Sequence, residues 1–199
     1  MSVLSRNNVH VHGPSDAQPM LLAHGFGCDQ NMWRHVWPAF EEDYRIVLFD
    51  HVGAGGSDLT AFDPGRYRSL NAYAQDVLDI CHELDVRDVV FVGHSVSAMI
   101  GILAAAAEPG LFSALVLIGP SPRYINDADY VGGFERADIE GLLDTMERNY
   151  LGWASFLTPV IMKNANRPEL TQELEASFCS TDPEIARRFA EAAWAYVHE

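Results

Sequence analysis

Residues 89–101, VVFVGHSVSAMIG, set Ser95 between an apolar run and a second run of small residues. A serine hydroxyl performs acyl transfer when a tight turn lifts it clear of the backbone, a base takes its proton, and N–H groups receive the charge that develops on the substrate oxygen. Gly93-His94-Ser95-Val96-Ser97 meets the first condition. It follows the G-x-S-x-G pattern of a nucleophile elbow at a strand-to-helix junction, where small flanking residues let the turn close; Ser97 stands in place of the last glycine. The Val96 amide falls at the start of the following helix, where negative charge is favoured. A second oxyanion donor is expected from LLAHGFG (21–27), a strand end entering a glycine-rich loop, with the Phe26 N–H as candidate. LFDHVGAGGSD (48–58) adds a third strand-end loop with Asp50 at its tip. Open α/β sheets bind ligands beyond the carboxyl ends of their strands, and all three loops fall there. Each stretch alone has a plainer reading, Ser95 as a helix N-cap and the others as glycine turns. Their coincidence favours chemistry.

A base for Ser95 is harder to find. The chain has eight histidines. His94 neighbours Ser95 and points the wrong way in a strained turn. His24 flanks the oxyanion loop and reads as structural. His35 and His51 have no placed role, and His198 sits near the end of the sequence. None is nominated as catalytic. Asp58 reads as a turn residue and Asp76 as part of a solvated helix face. Cys28, Cys81 and Cys179 are odd in number and match neither disulfide nor zinc spacing. Cys28 reads as a small buried thiol. A reducing, cytoplasmic compartment is expected, with no metal and no cofactor.

Four apolar runs read as parallel strands covered on both faces: 19–23, 45–49, 89–93 and 114–118. NNVHVHG near the start alternates and reads as an edge strand. Helical patterns follow the first run (29–42, N-capped by Asp29), precede the third (69–84) and follow it (95–108). The last of these is small and apolar all round, so it is expected to be buried. This alternation predicts a doubly wound, mostly parallel α/β sheet. After about residue 124 the strand candidates stop. Helices are expected near 135–150, 151–163, 168–179 and 182–196, the last two started by Pro168 and Asp182-Pro183. The division is a core over 1–125 and a helical cap over 126–199. Net charge is −15, with 28 acidic against 13 basic residues, which repels a phosphate backbone and excludes nucleic acid. No run approaches a membrane span, and the N-terminus lacks the apolar segment of a signal peptide.

HGFGCDQNMW, VLFDHVGAGGSD, FVGHSVSAMIG and SPRYINDADYVGGFE resemble the α/β-hydrolase fold family. Within it they resemble the group containing the bacterial stress-response regulator RsbQ and the plant karrikin and strigolactone receptors. FCSTDPEIARRFA is similar to RsbQ in particular, and the plant receptors carry the same HSVSAMIG string, Ser97 included. The resemblance covers essentially the whole chain. It implies a serine hydrolase acting on or sensing a small hydrophobic ester or lactone. It implies bacterial sigma-factor regulation with a partner phosphatase of the RsbP type as its setting. A cavity under the cap is implied, lined by Phe26, Tyr124, Phe134, Leu142, Trp153 and Trp194. Trp194 replaces a phenylalanine of the karrikin receptor. In this family the triad Asp and His follow the cap on two further strands, about 60–80 residues at about 30 per unit. They are not in this chain, which therefore reads as a partial member lacking the C-terminal strands and as marginally stable alone. A non-catalytic ligand-binding module or an inactive fragment is the alternative.

Overall fold

The computed structural model describes residues 2–195. Five strands form one sheet: β1 (His10–His12), β2 (Gln18–Ala23), β3 (Tyr44–Leu48), β4 (Val89–His94) and β5 (Phe112–Ile118). Their order is β1-β3-β2-β4-β5, with β1 antiparallel to β3 and every other pairing parallel. The first three apolar runs are continuous because both faces are used, but the run 114–118, expected to be covered on both faces as well, lies in edge strand β5 and leaves Val116 and Ile118 exposed. Leu21, Val47, Val89 and Phe91 point into one core with helix α2 (Leu70–Glu83) and helix α3 (Val96–Ala107). Met20, Ile46, Leu48 and Val92 point to the other face, where Trp33 covers them. That second cover is thin. The expected helix over 29–42 is two short 3-10 turns, Gln30–Trp33 and Trp37–Ala39. Pro38 disfavours helical backbone at the residue before it and removes a donor, so the pattern cannot propagate. Asp29 does cap the first turn, accepting from the Asn31 N–H at 2.8 Å.

A four-residue helix, α1 (Val3–Arg6), precedes β1. Arg6 there and Arg66 both reach Asp76 on α2, at 2.7 and 2.5 Å, and the Tyr67 hydroxyl donates to it at 2.8 Å. Asp76 is thus not on a solvated face. It is buried, and burial pushes its carboxyl up despite these partners. Helix α3 is also not buried all round, since Ile102 on it is exposed.

Residues beyond β5 form α4 (Arg136–Arg148), α5 (Tyr150–Met162), α6 (Pro168–Cys179) and α7 (Pro183–Ala190), the last continuing as a π-helical turn, Glu191–Ala195. The proline starts hold: Asp182 accepts from the N–H groups of Glu184 and Ile185. The end of the predicted last helix at 196, and His198, lie outside the described residues. These helices share a core of Ile139, Leu143, Met146, Trp153 and Phe178. They bind the sheet layer through aromatic contacts. Phe189 stacks on Tyr73 with ring centroids 4.5 Å apart.

Candidate active site

β4 ends at His94, and α3 begins at Val96. Ser95 alone turns the chain, at φ 56° and ψ −119°. A non-glycine residue rarely adopts this backbone, and holding it there costs about 1–3 kcal/mol. The surroundings enforce it. The Ser95 N–H donates to the Ile118 carbonyl of β5 at 2.8 Å, and its carbonyl accepts from Ala98 N–H at 2.9 Å. A Cβ on Gly93 would stand 2.5 Å from the Ser97 carbonyl oxygen, so only glycine lets α3 start this close. The loop after β2 packs directly on the turn: a Cβ on Gly25 would meet His94 Nδ1 at 2.6 Å and Ser95 Cβ at 3.5 Å. This packs the loop that carries Phe26 against the turn that carries Val96. Neither amide donates to another group among the described residues.

The histidines settle into other roles. His24 and His51 are buried, their ring centroids 4.6 Å apart. His51 Nε2 lies 2.7 Å from a serine hydroxyl, the geometry of a base on a nucleophile. That serine is Ser97, sealed in the core, with no path to a substrate. His94 shares a cavity with Ser95, its Nδ1 turned to the glycine loop. Asp50 is no free acid either. It is buried and accepts from Gln30 N–H (2.8 Å), Gln30 Nε2 (3.1 Å), Asn8 Nδ2 (2.7 Å) and Gly56 N–H (2.9 Å), which ties three loops together. Asp58 is the turn residue expected, accepting from Thr60 N–H. Among the described residues, no imidazole or carboxylate hydrogen-bonds the Ser95 hydroxyl, and no three His, Cys, Asp or Glu side chains gather as metal ligands do.

Ser95 opens into a cavity of about 740 Å³ between the strand-end loops and helices α4, α5 and α6. Phe26, Tyr124, Phe134, Leu142 and Trp194 line it. Trp153 does not. It lies behind the wall, 1% exposed, stacked on Phe178. Sequence reasoning missed much of the rest of the wall, including Leu157, Ile161 and Met162 of α5 and Leu170 and Leu174 of α6. Their helical spacing was the available signal. At the rim Arg34 grips Glu173 with two nitrogens, at 2.7 and 2.8 Å, joining core to cap. Both groups are largely exposed, so the pair is worth at most about 1 kcal/mol. Deeper in, the Ser177 hydroxyl donates to the Gly27 carbonyl at 2.7 Å, and the Phe178 ring covers Gly27. Burial pushes the Cys28 thiol up to about 12, so this cavity residue stays protonated.

Residues 18–194 match the family model described as the alpha/beta hydrolase fold. The chain belongs to the α/β-hydrolase family. It is 43% identical over 180 residues to a karrikin insensitive 2 receptor of Petunia hybrida, covering 90% of this chain and 66% of that relative. It is 43% identical over 185 residues to a strigolactone esterase of Arabidopsis thaliana, covering 93% and 68%. A hydrolase from Oleispira antarctica superposes with a TM-score of 0.93 at 46% identity, over 98% of this chain and 71% of that one. This α/β-hydrolase chain spans about two thirds of the length of the curated relatives it matches. No helix among its described residues is long and apolar enough to cross a membrane.

The buried imidazoles give this α/β-hydrolase chain a pH signature. Desolvation holds His24, His51 and His94 below the ordinary 6.5. An unfolded chain then binds protons that the folded one refuses, so stability falls as pH drops below about 6.5, by up to about 1.4 kcal/mol per pH unit for each histidine. Asp76, shifted upward, binds its proton more readily folded than unfolded and so acts in the opposite sense as pH falls. Urea unfolding should show a lower midpoint at pH 5.5 than at 7.5. An equal or higher midpoint at pH 5.5 would contradict the buried neutral imidazoles.

Proposed function

We propose that this protein is a serine hydrolase acting on a small hydrophobic ester or lactone in the cytoplasm. The observation that carries the reading is the strained Ser95 at the base of an apolar cavity, pressed against the glycine loop. A cavity that only binds has no use for a residue held at such cost. Residues 1–125 act as the catalytic core and 126–199 as the cap. Ser95 Oγ attacks the substrate carbonyl, and the N–H groups of Phe26 and Val96 receive the oxyanion. The base takes the Ser95 proton and gives it to the leaving alcohol, and water then adds to the acyl-serine, releasing the acid and returning a proton to Ser95 Oγ. The described residues offer Ser95 no base, and we place the triad Asp and His in sequence outside these 199 residues. The names of the relatives, an esterase and a receptor, agree with a small-molecule ligand.

A signalling output is the second reading. The bond from Ser177 to Gly27 and the Arg34–Glu173 pair tie the cap to the oxyanion loop and the rim, so filling the cavity bears on cap position. Sigma-factor regulation through an RsbP-type phosphatase, implied by the RsbQ resemblance, would read that position.

The test is labelling by a fluorophosphonate, read by intact mass, with and without imidazole as an external base. One adduct is expected on the chain, formed faster with imidazole and absent from Ser95→Ala. A folded chain that takes no adduct even with imidazole, or an adduct that persists in Ser95→Ala, overturns the reading.

A further inference from the structure

Ser97 departs from the glycine usual at its place in the elbow, and the structure gives its hydroxyl two partners. It donates to the His24 carbonyl at 2.5 Å. Its lone hydroxyl proton is thereby used, so the His51 ring nitrogen 2.7 Å away must be the donor, and His51 is the Nε2–H tautomer. His51 Nδ1 is then bare, buried and without a partner. His24 takes the opposite tautomer. Its Nδ1 lies 2.9 Å from the Gly25 carbonyl, which can only accept, and its Nε2 accepts from the His51 N–H at 3.1 Å. The bonds close a ring: His51 amide to His24 imidazole, His51 imidazole to Ser97 hydroxyl, Ser97 hydroxyl to His24 carbonyl. All three residues are inaccessible to solvent.

This ring joins the end of β2, the loop after β3 and the first turn of α3. Two of those segments carry the candidate oxyanion donors: Phe26 follows His24 by two residues, and Val96 immediately precedes Ser97. We infer that His51 and Ser97 are positioning residues that set the separation of the Phe26 and Val96 amides. This inference rests on the reading of Ser95 as nucleophile. Donors aimed in advance at the developing charge act without reorganisation, and a displacement of about 1 Å can cost about a hundredfold in rate. Buried polar networks specify geometry by pairing their donors. Each N–H and O–H of the ring is donated, and a proton moved to His51 Nδ1, which has no partner, would be an orphaned donor, so one proton arrangement is favoured. Neutral charge on both imidazoles, enforced by burial, keeps it there.

The experiment compares Ser97→Ala, His51→Phe and His51→Gln in fluorophosphonate labelling with imidazole present, alongside 15N spectra of the imidazoles. Gln carries an N–H where His51 carries Nε2–H, so it is the conservative variant. The saturating labelling rate should fall at least about tenfold in Ser97→Ala and His51→Phe, with the half-saturating probe concentration unchanged. His51→Gln should retain most of the rate. The double variant should be little worse than either single one, as for two members of one network. The 15N spectrum should show His51 protonated at Nε2 and His24 at Nδ1. If Ser97→Ala and His51→Phe label at the original saturating rate, or if His51 carries its proton on Nδ1, the inference is overturned. A chain that never labels sinks the nucleophile reading instead, and the tautomers still report whether the ring exists.

Discussion

Ser95→Gly is expected to raise the unfolding free energy by about 1 kcal/mol while removing at least about a thousandfold of the reactivity toward acyl and phosphonyl probes. The stability term comes from φ 56° and ψ −119°, a backbone that crowds any Cβ and that glycine adopts freely. Relief of about 1–3 kcal/mol is partly offset by glycine's greater freedom in the unfolded chain. The reactivity term comes from deleting the proposed nucleophile, with the glycine loop and its amides left in place. Ser95→Ala separates the two, since it loses the reactivity and keeps the strain. Denaturant unfolding of the three chains checks the first part, and labelling rates check the second. A Ser95→Gly chain less stable than Ser95→Ala would mean that the turn is not strained.

Trp153→Ala is expected to cost about 3–5 kcal/mol of stability, the range for deleting a large core aromatic. Trp153 lies between Tyr150 and Phe178, stacked on both with centroids 5.7 Å away, and presents an edge to Phe26 at 6.2 Å. Nothing else fills that volume. Trp153→Phe should cost roughly half as much, because the indole Nε1–H has no partner to lose. Leu142→Ala is the contrast. Leu142 faces the cavity and is half-buried, so its loss should enlarge the space for ligand at a smaller cost in stability. Urea midpoints and binding of a hydrophobic fluorophore distinguish the two. If Trp153→Ala changes fluorophore binding and leaves the midpoint alone, Trp153 is a wall of the cavity, as the family resemblance implies, and not its backing.

Much of this architecture can be read from the residues because it is local. Strands buried on both faces must be unbroken apolar runs, and proline starts must sit at the first turn of α6 and α7. The elbow announces itself through Gly93, Ser95 and a small residue at 97. What could not be read depends on partners remote in sequence. Asp76 looks solvated on its own helix, and only the fold brings Arg6 to it from 70 positions away. Trp153 and Leu157 lie four residues apart on one helix, yet one backs the cavity and the other lines it. That difference is set by α6, which covers Trp153 with Phe178. The 29–42 segment has helical composition yet forms only short 3-10 turns, and Pro38 within it lacks the N–H an α-helix would need, an effect that periodicity does not weigh.

β5 pairs with β4 alone among the described residues, and Val116 and Ile118 on it are 44% and 43% exposed. Ser95 hangs by its amide from the last carbonyl of that strand, on Ile118. The strained turn is therefore anchored to an edge strand of the sheet, paired on one side only among the described residues. Amides on the outer side of β5 should exchange with solvent readily, while those shared with β4 stay protected. In mechanical terms the edge is the foundation on which the turn is loaded. Any strand that docked there would stiffen the seat of Ser95 without touching the cavity.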